Sequence, residues 1–261
     1  MWTTALNPLV FEMSKPVLLD NVTHKDLRVI IRYGKEFGDG VNQVPVFPTE
    51  YADVQREYPI LLRKRKDKGD GEYQSIALLG FSRGENLFLE DGRWNAGYIP
   101  GVVARGPFLI GFQKREEGGQ VLHEPVIHVD MDNPRVSERE GEPVFLPHGG
   151  NSPYLERVST ILRGISDGIS VQRSMFEAFD ALGLIEPVKI QIEVHEDEKY
   201  DLQGLYTVSE VKLSSLDAES LERLNRAGFL QGAFLLVASL GNIQKLIQMK
   251  RWRLLSASEH A

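Results

Sequence analysis

The segment Val188-Lys189-Ile190-Gln191-Ile192-Glu193-Val194 alternates strictly between aliphatic and polar side chains. Successive side chains of a β-strand point to opposite faces, so this spacing predicts a strand with its aliphatic face in the core and its polar face in water. A second stretch rich in β-forming residues, Leu202 to Val208, follows the acidic run that begins at Glu196. Together the two stretches predict a β-hairpin.

A long amphipathic helix is predicted directly before this hairpin. Ser152 is a favourable N-cap residue, and Pro153 suits the first position of a helix. Gly183 tolerates positive φ and is a natural terminator. The apolar residues between them recur mostly at spacings of three and four, which is the helical period. They are Leu155, Val158, Leu162, Ile165, Ile169, Phe176 and Phe179.

The first half of the chain has the pattern of short strands separated by turn residues. The extended stretches are Leu27–Tyr33, Val44–Phe47, Gln74–Phe81, Pro107–Phe112 and Val126–Asp130. Gln74–Phe81 is nearly continuous apolar, which is typical of a strand covered on both faces.

Two further segments follow the hairpin. Asp217 and Gly228 bound a short helix. The segment from Leu230 to Ile247 keeps helical spacing, although its central apolar run is also compatible with a buried strand.

These patterns predict an α+β fold. An antiparallel β-rich N-terminal region is followed by a long helix, a β-hairpin and C-terminal helices. A cluster of Pro, Gly, Asn and Ser at residues 147–153 suggests a division into residues 1–150 and residues 151–261. A single compact unit is an equally acceptable interpretation.

The amino-acid composition excludes several classes of function. The chain of 261 residues has a formal net charge of −7, which works against nucleic acid as its main partner, and it contains no cysteine. Thiolate catalysis and cysteine-built metal sites are therefore excluded. The segment from Met1 to Phe11 lacks the features of a secretory signal, and the apolar run Ala233–Leu240 is too short to span a membrane. We therefore expect a cytoplasmic protein with no membrane span.

Several short segments, in order and spacing, resemble the bacterial SapC family. They are Val44-Pro45-Val46, Glu50-Tyr51, Tyr58-Pro59-Ile60, Leu78-Leu79-Gly80-Phe81, Gly92-Arg93-Trp94, Tyr98-Ile99-Pro100, Pro107-Phe108 and Gly204-Leu205-Tyr206. The resemblance implies a soluble protein encoded near cupin-like oxygenases, flavin-dependent tryptophan halogenases and TonB-dependent receptors, which are the candidate partners. It implies no catalytic mechanism and no cofactor.

Rigid aromatic and proline residues are dense between Trp94 and Phe108. We expect Trp94, Tyr98 and Phe108 to border a groove for an extended peptide, with Arg93 and Arg105 adding charge recognition. In the alternative interpretation these aromatic side chains simply fill the β core.

A metal site is the second candidate. His128, Asp130 and Asp132 occupy alternate positions, which would place them on one face of an extended strand, and His123 lies nearby. A hard-ligand iron or zinc site would take a further histidine from elsewhere in the chain. The alternative is an ordinary polar strand end.

Three functions therefore remain open. The first is a non-catalytic peptide- or protein-binding accessory protein that serves a modifying enzyme or an outer-membrane receptor system. The second is a metal-dependent enzyme that uses the His128, Asp130 and Asp132 face. The third, suggested by the family label, is association with a surface layer.

Overall fold

The computed structural model describes residues 15–65, 72–117, 120–195 and 198–259. Within each range the backbone is described, and side chains are described except at 114–117, 120–123 and 257–259. The chain forms two compact units, each built from two separate segments. Unit 1 comprises Met1–Gly38 and Gly101–Ser166, and unit 2 comprises Asp39–Pro100 and Asp167–Ala261.

The described strands are mostly short, apart from two long hairpins. In chain order they are β1 (Pro16–Leu18), β2 (Arg28–Val29), β3 (Gln43–Pro45), β4 (Ile60–Lys64), β5 (Tyr73–Leu78), β6 (Leu89–Glu90), β7 (Arg93–Trp94), β8 (Phe108–Glu117), β9 (Gln120–Asp130), β10 (Val136–Ser137), β11 (Glu142–Pro143), β12 (Ile185–His195) and β13 (Glu198–Val208).

The described α-helices include one of 29 residues. In chain order they are α1 (Tyr51–Val54), α2 (Gly101–Ala104), α3 (Pro153–Ala181), α4 (Glu210–Ser214), α5 (Ala218–Arg226), α6 (Leu230–Ser239) and α7 (Asn242–Glu259). The α+β class is confirmed, with antiparallel sheets, a long helix and helices near the C-terminus.

Unit 1 is built on a three-stranded antiparallel sheet in the order β1-β9-β8. Phe108 and Val129 pair across this sheet and are fully buried. They pack with Val29 from β2 and with Leu155 and Val158 from the first turns of α3. The helical spacing of these last two residues thus places one face of α3 in the core of unit 1.

Unit 2 contains a five-stranded antiparallel sheet in the order β12-β13-β4-β5-β3. The predicted hairpin is confirmed as β12 and β13. In β12, Ile190, Ile192 and Val194 are buried and Val188 is half-buried, whereas Lys189, Gln191 and Glu193 are exposed. The alternation therefore assigns the two faces of this strand correctly.

Strand pairing joins distant parts of the sequence within unit 2. Leu205 and Tyr206 of β13 pair with Arg63 and Leu62 of β4. Because this pairing brings residues from both sides of position 150 into one sheet, the compact units do not coincide with the predicted division at that position.

The C-terminal segments are helical. The Asp217 carboxylate accepts a hydrogen bond from the backbone N–H of Ser220 at 2.8 Å, which caps α5. Of the two alternatives for residues 230–247, the structure has the helical one, α6 and α7, separated by a turn at Leu240 and Gly241.

Leu230–Ser256 is long and apolar enough to cross a membrane by length and composition alone. Core helices of soluble proteins meet the same criterion. In unit 2 this stretch buries Ala233, Leu236 and Leu246. The expected absence of a membrane span, which considered only Ala233–Leu240, stays a prediction.

A largely buried ion pair fastens α7 to the body of unit 2. The Lys250 ammonium donates to the Glu85 carboxylate at 2.8 Å, and the Phe81 backbone N–H donates to the same group, also at 2.8 Å. Although burial by itself raises the pKa of Glu85, the hydrogen bonds from Lys250, Phe81 and Ser82 outweigh it and lower the pKa. The folded state therefore favours the ionised carboxylate.

Glu85→Gln is expected to cost about 2 kcal/mol of unfolding free energy at neutral pH, because the charge-assisted hydrogen bonds are lost. A depressed carboxyl pKa stabilises the fold above the unfolded pKa, and this stabilisation disappears as the pH falls through the folded pKa. Urea unfolding of both proteins at neutral and acidic pH should show the difference shrinking with acidification. An equal difference at both values would contradict the ion-pair explanation.

Candidate functional site

The residues predicted to line a peptide groove fall into both units. Arg93, Trp94 and Tyr98 belong to unit 2, whereas Arg105 and Phe108 belong to unit 1.

Trp94 is an interior residue of unit 2, with 7% of its surface exposed. Its indole N–H donates to the Tyr58 hydroxyl at 2.7 Å, and its ring stacks on Phe88 with centroids 6.4 Å apart. Both the apolar ring and the polar N–H are thus satisfied by the protein itself, which favours the core interpretation for Trp94.

Tyr98 is half-buried and fixes the loop that follows β7. Its hydroxyl donates to the carboxylate of buried Glu50 at 2.8 Å, and its carbonyl accepts a hydrogen bond from Tyr58 at 2.5 Å. Burial, then the neighbouring Glu50 charge, raises the pKa of Tyr98. The phenol therefore stays protonated as a donor. Arg93, which directly precedes Trp94, is exposed.

Arg105 and Phe108 are both buried in unit 1. The Arg105 guanidinium donates to the Phe108 carbonyl. Burial lowers the pKa of Arg105 to about 10, and the nearby Asp130 charge opposes this shift. Burial of Trp94, Arg105 and Phe108 departs from the expected accessibility, because each side chain has partners inside its unit. A peptide-binding role for the five residues stays a prediction.

The carboxylates of the metal hypothesis do not continue along one strand face. Strand β9 ends at Asp130, and Asp132 lies in the following turn. One Asp130 oxygen accepts the backbone N–H groups of Lys15 at 3.0 Å and Asp132 at 3.3 Å. Within the described part of the chain, no group of three or more His, Asp or Glu side chains is arranged to hold a metal ion. The His123 side chain lies outside the described residues.

His128 differs from both carboxylates. It is half-buried, and its Nδ1 atom is buried with no hydrogen-bond partner among the described residues. Burial lowers its pKa, so the ring is neutral at physiological pH. His128 pairs with Leu18 across β9 and β1, and Leu18 also lines an open groove.

The groove lies where β1 leaves the sheet of unit 1. The last backbone hydrogen bond between the two chain segments runs from the Leu19 N–H to the Ile127 carbonyl at 2.9 Å. The Asp20 carboxylate then accepts the backbone N–H groups of Val22 and Thr23, at 2.9 and 2.7 Å, which turns the chain away. The hydrogen bonds from Thr23 and Val22 outweigh slight burial and lower the pKa of Asp20, which is therefore charged at neutral pH.

This cavity, the β1-end groove, has a volume of about 390 Å³. Aliphatic and aromatic side chains form most of its wall, and three polar side chains lie among them. The lining residues are Leu18, Leu19, Asp20, Asn21, Val126, Ile127, Phe145, Asn151 and Leu155. An apolar wall with a few polar groups is the usual composition of a ligand site.

The neighbouring part of β9 has an uncovered edge. Strand β8 pairs with β9 from Gln120 onward, whereas the contacts from the β1 side begin only at Ile127. Among the described strands, none pairs with residues 120–126 on that second side. Backbone direction alternates along a strand, so the Pro125 carbonyl points to the same side as the Ile127 carbonyl.

A family model described as SapC matches residues 19–246. The chain belongs to the SapC family. The matched region contains both predicted site segments and every groove residue except Leu18. No curated protein and no solved structure matches the chain.

Sequence reasoning about this SapC-family chain missed the β1-end groove. Its lining comes from three separate segments, and the groove exists because β1 is shorter than β9. The one local signal is Leu19-Asp20-Asn21, in which an aliphatic residue precedes two residues that favour turns.

Proposed function

We propose that this SapC-family protein is a non-catalytic accessory protein that binds an extended segment of a peptide or protein in the β1-end groove. The observation that carries the proposal is the apolar groove beside an uncovered strand edge. The groove can bind an aliphatic side chain, and the strand edge has backbone groups that can form hydrogen bonds with the backbone of a bound polypeptide.

The chemistry of the edge restricts how a peptide can bind. Pro125 has a backbone carbonyl but no backbone N–H. At this position a bound peptide can therefore donate a hydrogen bond to β9 but cannot accept one from it. The Asp20 carboxylate at the rim favours a cationic residue in the bound segment. We therefore propose an extended ligand with an aliphatic side chain next to a lysine or arginine.

The family context suggests where such a ligand comes from. A cupin-like oxygenase, a flavin-dependent tryptophan halogenase or a TonB-dependent receptor is the proposed partner, and the cytoplasm is the proposed location. An accessory role of this kind requires binding and presentation of a segment, and it requires no reacting groups in the accessory protein itself.

Site-specific crosslinking in the native host tests the proposal. Because the chain has no cysteine, Asn21→Cys provides one attachment point for a benzophenone at the groove rim. We expect it to crosslink to a defined partner segment, and Leu18→Ser should lower the yield about tenfold. The matched control is a benzophenone at Val211→Cys, because Val211 is 77% exposed and lies in α4 of unit 2.

Two results would contradict peptide binding in the groove. One is crosslinking to the same partners from positions 21 and 211, which would indicate nonspecific contact. The other is an unchanged yield with Leu18→Ser. Leu18 is 42% exposed, so the fold should tolerate the substitution, and thermal unfolding checks this directly.

A further inference from the structure

The C-terminal part of the chain contains a long segment without acidic residues. Between Glu222 and Glu259 there are six Lys and Arg residues and no Asp or Glu. The whole chain has a net charge of −7, so this segment carries +6 and the remaining residues carry −13. An acidic chain therefore has one basic sequence segment, which contains α6 and most of α7.

The basic side chains of α7 fall into two classes. Lys245 and Lys250 form ion pairs with Glu57 and Glu85, so their charges are compensated inside unit 2. Arg251 instead donates to the carbonyls of Val194 and Glu193. Those hydrogen bonds position the arginine without neutralising its charge.

Arg253 follows the pattern of Arg251. Its guanidinium donates to the backbone carbonyls of Leu87 and Leu89. Both arginines are exposed, and a guanidinium has five N–H donors, of which these contacts use only a part. Each can therefore donate further hydrogen bonds to an anion, for which phosphate is well suited.

Two large apolar side chains stand beside these arginines. Trp252 is 74% exposed and Leu255, one helical turn further on, is 64% exposed. Leu246, in contrast, is fully buried and holds the helix to unit 2. The α7 face, defined as Arg251, Trp252, Arg253 and Leu255, thus combines two arginines that form no ion pair with any described residue and two exposed apolar groups.

We propose that the α7 face docks unit 2 onto the surface of a bilayer that contains anionic lipids. Arginine on the polar side and Trp with Leu on the apolar side is the composition of helices that lie in the membrane interface. Tryptophan suits that region because its ring is apolar while its N–H needs a polar partner.

Charge complementarity supports this choice of partner. The cytoplasmic leaflet has a negative surface potential, which attracts Arg251 and Arg253. These two charges therefore favour contact of the α7 face with the bilayer.

Vesicle sedimentation of the full chain tests the proposal. The probes are vesicles of phosphatidylcholine with phosphatidylglycerol and vesicles of phosphatidylcholine alone. We expect binding to the anionic vesicles, weakened by salt, and only weak binding to the neutral ones. Trp252→Ser should lower the affinity about tenfold, and Arg251→Gln with Arg253→Gln should lower it about fivefold per arginine.

Control variants distinguish a loss of membrane binding at the α7 face from a loss of folded protein. Arg251→Lys with Arg253→Lys keeps the charge and should bind anionic vesicles nearly as the parent does. Val211→Ser removes an equally accessible apolar side chain outside the α7 face and should change nothing. The chain has three tryptophans, so Trp2→Phe combined with Trp94→Phe leaves Trp252 as the single fluorophore. Its fluorescence should shift to shorter wavelength when the vesicles are added.

Three outcomes would overturn the proposal. The first is failure of the parent protein to bind either vesicle. The second is unchanged binding by Trp252→Ser. The third is that the parent forms a protein complex or self-associates, and that Trp252→Ser loses this association while both proteins bind anionic vesicles equally, which would assign the α7 face to a protein partner.

Discussion

Trp94→Ala is expected to lower the free energy of unfolding by about 3–5 kcal/mol, the usual loss for a large aromatic side chain in a core. The substitution removes the ring that stacks on Phe88 and the N–H that donates to Tyr58. Urea unfolding followed by circular dichroism measures the change.

The matched control is the same substitution at Trp252, which is 74% exposed. Trp252→Ala should stay within about 0.5 kcal/mol of the parent, as most surface substitutions do. The opposite result for Trp94 is also informative. If Trp94→Ala keeps its stability but loses the partner segment crosslinked from position 21, Trp94 is a binding anchor and the core interpretation is wrong.

The sequence pattern within a single element was sufficient to predict that element and its buried face. The alternation from Val188 to Val194 predicted both the strand and its buried face, because side-chain direction in a strand depends only on position. The helix after Ser152 was predicted for the same reason, since its cap and its apolar period lie within one segment. Its end near Gly183 also agrees, with Gly183 at a φ of +63°.

The division into two units could not be predicted from the sequence pattern within single elements. Unit 2 depends on β13 pairing with β4, and these strands are separated by more than a hundred residues. The turn-rich segment at 147–153 is a real interruption of regular structure, yet it falls inside unit 1. Breaker residues indicate where an element ends, whereas unit boundaries depend on which elements pair.

Both candidate sites lie in short strands or at strand ends, where the sequence pattern does not indicate which way a side chain points. Strand β7 has two residues, so no alternation indicates that Trp94 faces inward and Arg93 outward. At the end of β9, the spacing of His128, Asp130 and Asp132 suggested one strand face, but the Asp130 carboxylate caps the turn after the strand. The metal hypothesis assumed that the strand continued for two more residues.

Arg105 is the most informative of the predicted charged residues because it is buried, whereas Arg93 is exposed. Arg105→Met keeps most of the side-chain volume and removes the charge. It leaves the Phe108 carbonyl without its guanidinium donor and removes the Arg105 charge that interacts with Asp130. A lost hydrogen bond to a charged group costs about 1.5–3 kcal/mol, and we expect a loss near the upper limit because the charge interaction with Asp130 is removed as well.

The second variant in this test is Arg105→Met combined with Asp130→Asn, which removes both charges. Burial lowers the pKa of Arg105 to about 10, so the folded state already opposes this charge, and the double variant should regain part of the lost stability. Arg93→Met is the exposed control and should change the unfolding free energy by less than about 0.5 kcal/mol. If Arg105→Met unfolds like the parent but binds the crosslinked partner segment less tightly, Arg105 acts in recognition. Lost stability with unchanged binding by the folded fraction assigns it to the interior of unit 1.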